Sequence, residues 1–126
     1  MTDRGVATAI RTSRVLVARD GDRIVGTLRL ATKKPWAIDR AYFANVRRPL
    51  YLTDMAVLRS CQRTGIGRFM LTEAAAVARQ WPGDAIRLDA YDAPAGAGAF
   101  YAKCGYRQVG RRTYRGVPLL YFELLL

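Results

Sequence analysis

An apolar stretch that runs into a basic, glycine-containing turn constrains the fold of this chain more than any other feature. The apolar stretch covers residues 51–58, a polar turn follows, and a helical pattern begins near Gly65 and Gly67. The first amides of a helix lack intrahelical partners and carry partial positive charge, and a glycine lets a ligand approach the main chain closely. Three arginines surround the turn, namely Arg59, Arg63 and Arg68. The stretch therefore predicts an anion site that suits a pyrophosphate group.

The turn matches neither of two common phosphate-binding fingerprints. It lacks the Gly-Lys-Ser/Thr ending of a Walker A loop and the third glycine of the dinucleotide fingerprint GxGxxG. Its own order is Q-x-x-G-x-G, from Gln62 to Gly67. Because glycine-rich turns are common, this hexapeptide alone leaves an ordinary structural turn open.

Composition narrows the class of protein. A length of 126 residues fits one domain, residues 1–126, with one core. No apolar run is long enough to cross a bilayer, and residues 1–14 lack the apolar centre of a signal peptide, so we expect a cytoplasmic protein without a membrane partner. The chain has no histidine and only two distant cysteines. That excludes Ser-His-Asp and Cys-His catalysis and predicts no metal site.

A net charge of +11 also bears on the choice of partner. A polyanion-binding surface is one interpretation. The arginines are scattered, with short pairs only at Arg47-Arg48 and Arg111-Arg112, and no basic tail or nucleic-acid motif is present. A phosphorylated ligand is therefore favoured over nucleic acid as the main partner.

Residue patterning predicts a mixed α/β (α+β) fold. Six stretches have strand-like composition or alternation: 15–18, 24–31, 50–58, 85–90, 106–113 and 117–125. Two have the signals of helices: 67–80, and 93–103 with Asp92 as its N-cap and a weak first half. The third strand, first helix and fourth strand form a right-handed βαβ unit, so those two strands should be parallel, with the phosphate turn at the carboxyl end of the first.

A second motif lies in the second helix. Its order is Ala97-x-x-Phe100-Tyr101-x-Lys103-x-Gly105-Tyr106. This run and the Q-x-x-G-x-G turn, separated by one strand, resemble the two cofactor motifs of the GNAT superfamily of acyl-CoA N-acyltransferases. The resemblance covers about residues 14–126. It implies a central mixed, largely antiparallel sheet with a βαβ cofactor unit, splayed central strands, helices packed on the sheet and a shortened N-terminal part.

The resemblance also implies acetyl transfer from acetyl-CoA, as co-substrate, to a primary amine by direct attack. The main chain of the splayed third strand would hold the pantetheine and thioester, with the N–H of Val57 polarising the carbonyl. Tyr101 would be the general acid, since a phenol with a pKa near 10 suits a leaving thiolate. The implied cofactor-binding residues are Met55, Ala56, Val57, Gln62, Arg63, Thr64, Gly65, Ile66, Gly67, Arg68 and Tyr101.

Other residues have weaker roles. Asp54 is the only acid on the third strand and is our candidate base, with a salt bridge to an arginine as the alternative. Three aromatic residues are candidates for the acceptor pocket or for core packing, namely Trp36, Tyr42 and Tyr51. The acceptor stays open between a small-molecule amine and a peptide or protein amine.

Departures from the family pattern keep other functions open. Pro94 stands where the family usually has an asparagine, and the third strand has no glutamate. A non-catalytic acyl-CoA-binding module, or a basic nucleic-acid-binding domain, would fit those departures. Residues 1–13 are too few for the family's opening strand and two helices. An uncovered sheet edge and apolar face would result, so we expect a homodimer or an unusually open acceptor site.

Overall fold

The computed structural model describes residues 12–126, which form one six-stranded sheet with two helices. The strands are β1 (Ser13–Asp20), β2 (Arg23–Ala31), β3 (Pro49–Val57), β4 (Ala85–Tyr91), β5 (Arg107–Tyr114) and β6 (Val117–Leu125). The helices are α1 (Ile66–Gln80) and α2 (Gly98–Lys103). The sheet order is β1-β2-β3-β4-β6-β5. Every neighbouring pair is antiparallel except β3 and β4, so the predicted mixed sheet and its parallel βαβ unit are confirmed.

Helix α1 covers one face of the sheet. Its buried residues are Met70, Leu71, Ala74, Ala75 and Ala78. All of these except Ala75 pack against leucines of β2 and β3, such as Leu28 and Leu50, in the larger of two apolar clusters. Gly26 of β2 lets the helix lie close to the sheet, because a Cβ at that position would come 2.6 Å from Sδ of Met70.

The loop between β2 and β3 covers the opposite face. It contains a 3-10 turn at Arg40–Tyr42, and it places Ile38 and Phe43 against Tyr121 in a second apolar cluster. A buried ion pair fixes this loop to the sheet. Arg87 donates to Glu123 at 3.1 Å and to the carbonyl of Ala44 at 2.6 Å, and Glu123 accepts from the N–H of Ala44.

The alternation of β2 is interrupted near its start. In a regular strand Ile24 would share the buried face of Leu28 and Leu30, but Ile24 is 45% exposed and Val25 is buried. An irregularity between Ala18 and Arg19 shifts the hairpin register, so that Arg19 pairs with Ile24 while Ala18 pairs with Gly26. A bulge of this kind reverses the alternation, and it depends on the partner strand as well as on local sequence.

Helix α2 is shorter than predicted. It begins at Gly98, with Ala97 at the N-cap position, because residues 93–97 form turns. Asp92 is therefore not an N-cap, and its carboxylate instead pairs with Arg111 at 2.8 Å. The weak helix propensity of Gly96 agrees with this late start.

The edge strand β1 pairs only with β2 in residues 12–126. Val15 and Val17 of this strand are 48% and 38% exposed. The expected arrangement of the N-terminal segment falls mainly in residues 1–11, which lie outside the described part of the chain. None of the described helices is long and apolar enough to cross a membrane.

Candidate active site

Strands β3 and β4 separate halfway along their length. They pair only at Pro49–Ala85, Leu50–Ile86 and Tyr51–Arg87, although β3 continues to Val57 and β4 to Tyr91. Beyond Tyr51 the two strands diverge, and a gap opens in the centre of the sheet. The expected splay is thus present, and the gap lies at the carboxyl-terminal halves of both strands.

A bulge in β3 shapes one side of this gap. Thr27 of β2 pairs with Ala56 and Arg29 pairs with Thr53, so the two residues Asp54 and Met55 stand opposite one residue of β2. Asp54 adopts a φ of 56°, a left-handed conformation that aspartate tolerates better than most residues. The bulge bends β3 and resets the direction of its main-chain groups.

After the bulge, main-chain groups of β3 point into the gap. The N–H of Leu58 donates to the carbonyl of Val25 on β2 at 2.8 Å. Since main-chain groups alternate along a regular strand, Val57 directs its groups away from β2 and into the gap, whereas Ala56 turns towards β2. The carbonyl of Val57 accepts a hydrogen bond from Nε2 of Gln62 at 3.2 Å, which fastens the start of the turn to the end of β3.

The turn between β3 and α1 leaves a helix N-terminus uncapped. A 3-10 turn at Arg59–Cys61 follows β3, and the hydroxyl of Thr64 donates to the carbonyl of Cys61. Gly65 occupies the N-cap position with a φ of 91° and makes no side-chain cap. The first amides of α1, starting at Ile66, therefore have no side-chain partner among residues 12–126. A Cβ at Gly65 would meet no atom within 4 Å, which leaves open space next to these amides.

Positive charge surrounds the same helix N-terminus. Arg59, Arg63 and Arg68 are exposed, and none of them makes an ion pair within residues 12–126. Arg63 has a φ of 65°. The guanidinium of Arg68 lies 3.4 Å from the carbonyl of Lys103, so it links the first turn of α1 to the end of α2. Free amides, the helix dipole and three guanidinium groups together can bind a pyrophosphate.

Gly67 brings three parts of the site into contact. A Cβ at this position would lie 2.9 Å from Cζ of Phe100 on α2 and 3.7 Å from Cε of Met55 on β3. A side chain at position 67 would therefore have to displace the ring of Phe100. Gly67 allows the phosphate turn, the second motif and the splayed strand to meet at one point.

Tyr101 projects from α2 towards β3. Its side chain is 7% exposed, and its hydroxyl lies 3.7 Å from Sδ of Met55, as a donor to sulfur. Burial, the negative charge of Asp89 and Cys104 raise the pKa of Tyr101 to about 12. The pKa near 10 that the sequence suggested is thus too low. The phenol stays protonated at every physiological pH, and it is a weaker acid than an ordinary tyrosine.

Asp89 is a residue that sequence reasoning missed. It lies on β4 beyond the last pair with β3, and it pairs across the sheet with Tyr121, which places it on the loop-covered face. The side chain is partly buried, and burial raises its pKa above the usual 3.8. Its alternation with Arg87 was a signal in the sequence, but the splay that places it beside the gap is a tertiary feature.

Asp54, our candidate base, is exposed and makes no ion pair within the described residues 12–126. The alternative of a salt bridge to an arginine is therefore not what the structure shows. The two acids, Asp54 and Asp89, lie on the two strands that border the gap.

The predicted acceptor-pocket aromatics occupy three different environments. Trp36 is 82% exposed, and Tyr42 packs edge-on against Tyr121 with a ring separation of 5.2 Å. Tyr51 is 2% exposed, and its hydroxyl accepts a hydrogen bond from Arg87 at 3.1 Å. Of the three, Tyr51 is in a packing position, and the structure does not bring them together around one pocket.

Comparisons with known proteins agree with this geometry. Residues 11–108 match the family model of the acetyltransferase (GNAT) domain. No curated protein sequence matches the chain. Among solved structures, a protein assigned to the GNAT acetyltransferases from Desulfovibrio desulfuricans superposes with a TM-score of 0.73 at 19% identity, covering 97% of this chain and 72% of that one.

Two further structures contain the cofactor of the family. An acetyltransferase from Bacillus subtilis in complex with CoA has a TM-score of 0.71 at 18% identity, with 96% and 82% of the two chains covered. A GNAT family acetyltransferase from Elizabethkingia anophelis with acetyl-CoA bound has a TM-score of 0.70 at 16% identity, with 99% and 84% covered. At these identities the structures establish a shared fold, and the family match covers most of the chain. This protein therefore belongs to the GNAT family of acetyltransferases.

Proposed function

We propose that the protein is an acetyl-CoA-dependent N-acetyltransferase that acts on a primary amine. The observation that carries the proposal is the gap between β3 and β4, which opens next to an uncapped helix N-terminus. The turn from Gln62 to Arg68 would bind the pyrophosphate, and the main chain of Met55 and Val57 would extend the sheet onto the pantetheine arm. This arrangement fixes the thioester relative to an incoming amine, which is a large source of rate enhancement.

The proposed reaction is direct attack by the amine nitrogen on the thioester carbonyl carbon. The N–H of Val57 points into the gap and would donate to the oxygen as its negative charge develops. When the C–S bond breaks, the hydroxyl of Tyr101 would donate a hydrogen bond to the leaving sulfur. With a pKa of about 12, Tyr101 is suited to stabilise the thiolate as a neutral donor and does not ionise on its own.

We propose that Asp89, in preference to Asp54, is the base that accepts a proton from the attacking amine. Asp89 lies on the loop-covered face of the sheet, and Tyr101 belongs to the apolar cluster on the α1 face. Acid and base are thus associated with opposite faces of the gap, which suits an amine that arrives from one side while the thiolate leaves from the other. Asp54 remains a second candidate, acting through water from the bulge of β3.

Self-association is a further part of the proposal. Two exposed valines, Val15 and Val17, lie on an edge strand whose outer main-chain groups are open in the described chain. Pairing of two such edges would bury both features. Light scattering over a dilution series would show a dimer that dissociates on dilution, whereas a constant monomer mass would refute this point.

Acetyl transfer is tested by incubating the protein with acetyl-CoA and a panel of amines while free thiol is measured. The panel should contain small-molecule amines, peptides with free α-amines and lysine peptides. Thiol release that depends on one amine, with the acetylated amine found by mass spectrometry, would support the proposal. Saturable acetyl-CoA binding with no amine-dependent release across the panel would instead indicate an acyl-CoA-binding module.

A further inference from the structure

Besides the basic turn before α1, the structure contains a basic cavity, which we call the second cavity. It lies at the end of the sheet opposite this turn. Its volume is about 560 Å³, and it lies between the end of α1 and the loop that follows β2. Among the residues that line it are Thr32, Lys34, Arg40, Arg47, Arg48 and Trp81. Strand β3 begins here at Pro49 and ends near the phosphate turn. At about 3.3 Å per residue, the two ends of this strand are roughly 26 Å apart.

Among residues 12–126, the cavity lining carries four positive charges and no carboxylate. None of the four cations makes an ion pair within residues 12–126, and all three arginines are exposed. Like charges that converge on one cavity repel each other, so this arrangement costs free energy unless an anion is bound. The volume falls within the range of small-molecule sites.

The backbone that presents these cations is held in place. The N–H groups of Arg47 and Arg48 both donate to Oδ2 of Asp84, at 3.2 and 3.0 Å, so this acid contacts the main chain and leaves the two guanidinium groups free for a ligand. The amine of Lys34 donates to the carbonyls of Pro35 and Ile38, at 2.9 and 2.6 Å. The main chain at Arg47 and Arg48 and the amine of Lys34 are therefore fixed before a ligand binds, which lowers part of the entropy cost of binding.

A fifth cation stands at the rim. The guanidinium of Arg14 stacks on the ring of Trp81, with 4.8 Å between its Cζ and the ring centre. Its Nε is buried and has no hydrogen-bond partner in the part of the chain that the structure describes. Because Trp81 lines the cavity, the guanidinium of Arg14 adds a positive charge next to it.

We propose that this cavity is a second anion site, which binds the di- or triphosphate group of a small molecule. Several arginines grouped around one space suit a chain of phosphates, because each planar guanidinium can donate two parallel hydrogen bonds to a phosphate. The source of the phosphates is either a nucleotide or an inorganic polyphosphate. The proposed site does not depend on acetyl transfer. A ligand in it would lie about the length of β3 away from the proposed thioester position.

Two matched double variants test the proposal. Arg47→Ser/Arg48→Ser removes two exposed charges from the cavity, and Arg59→Ser/Arg63→Ser removes two exposed charges from the phosphate turn. Both lose the same net charge, and circular dichroism would confirm that both are folded. Calorimetry with inorganic tripolyphosphate is then run on each variant and on the unchanged protein, with and without acetyl-CoA.

The expected result is a tripolyphosphate-binding event that acetyl-CoA does not displace. This event should persist in the turn variant and weaken at least tenfold in the cavity variant. Tighter binding of ADP than of tripolyphosphate would identify a nucleotide as the source, and the reverse order would identify a polyphosphate. The proposal is overturned if acetyl-CoA displaces all bound tripolyphosphate, or if both variants lose the same affinity, because binding would then follow net charge alone. Neither outcome decides whether the protein transfers acetyl groups.

Discussion

The hydroxyl of Tyr101 on α2 lies 3.7 Å from Sδ of Met55 on β3, so the second motif of the sequence contacts the splayed strand. The contact joins the helix that carries the proposed acid to the strand proposed to hold the thioester. A thiolate accepts hydrogen bonds more strongly than a thioether does, because charged acceptors form the stronger bonds. A leaving sulfur near Met55 would therefore be a good partner for this hydroxyl.

We predict that Tyr101→Phe lowers turnover about 10- to 1000-fold while the affinity for acetyl-CoA changes little, since the change removes one hydrogen-bond donor to the transition state. Tyr106→Phe is the matched control. The hydroxyl of Tyr106 is also buried but has no hydrogen-bond partner in the described residues, so its loss should leave turnover almost unchanged. Equal turnover in the Tyr101 variant and the unchanged protein would assign Tyr101 to packing.

Substitutions at Gly65 separate backbone strain from blockage of the anion site. Gly65→Ala and Gly65→Glu share the strain of a side chain at a φ of 91°. Only the glutamate adds length and negative charge beside the free amides of α1. We expect the glutamate variant to bind acetyl-CoA at least tenfold more weakly than the alanine variant, as measured by calorimetry. Equal affinities would mean that the pyrophosphate does not lie at this turn.

The pH dependence of turnover tests Asp89. A base works when it is deprotonated, so turnover should fall as pH decreases through the raised pKa of this carboxylate, above the usual 3.8. Asp89→Asn should lower turnover and remove this acidic limb, and Asp54→Asn is the comparison. All three proteins are assayed with one acceptor, so that the ionisation of the amine is the same in each. An acidic limb that disappears only in the Asp54 variant would move the base to Asp54.

Tyr101 should contribute nothing to the pH profile in the neutral range. Its pKa is raised to about 12, and the acid is active when protonated, so activity would be lost only as pH approaches that value. This corollary uses the same pH series.

The buried ion pair between Arg87 and Glu123 should dominate the stability of the loop-covered face. Glu123→Gln leaves a buried guanidinium without a counter-charge, and we expect a cost of about 3–5 kcal/mol in the free energy of unfolding. Asp92→Asn breaks the exposed pair with Arg111 and should cost about 1 kcal/mol or less. Urea unfolding measures both. Similar costs for the two variants would show that Arg87 and Glu123 do not hold the loop to the sheet.

Local signals in the sequence were enough to predict the turn between β3 and α1 and the position at which the helix begins. Glycines at 65 and 67, three arginines and a change from strand to helix periodicity are properties of one short stretch, and the structure places the start of α1 at Ile66. The parallel pairing of β3 with β4 followed from the handedness of βαβ units. The larger part of the fold was therefore accessible from pattern and topology.

Features that depend on a partner strand or on burial could not be predicted from local sequence. The bulge at Asp54 appears only in the register between β2 and β3, and the irregularity at Ala18 moved Ile24 to the surface. The raised pKa values of Asp89 and Tyr101 arise mainly from burial by residues that are distant in sequence. The loop that covers one face of the sheet is held by Arg87, whose place in an alternating strand gave no sign of this contact.

The location of bound acetyl-CoA tests the proposed function most directly. Acetyl-CoA is titrated into ¹⁵N-labelled protein while the amide resonances are followed. We predict saturable shifts at one-to-one stoichiometry for the amides of Met55, Val57, Ile66 and Gly67, and none of comparable size at Arg47 or Arg48. Shifts confined to the second cavity, or no saturable shift in the gap between β3 and β4, would contradict the assignment of this gap as the acetyl-CoA site.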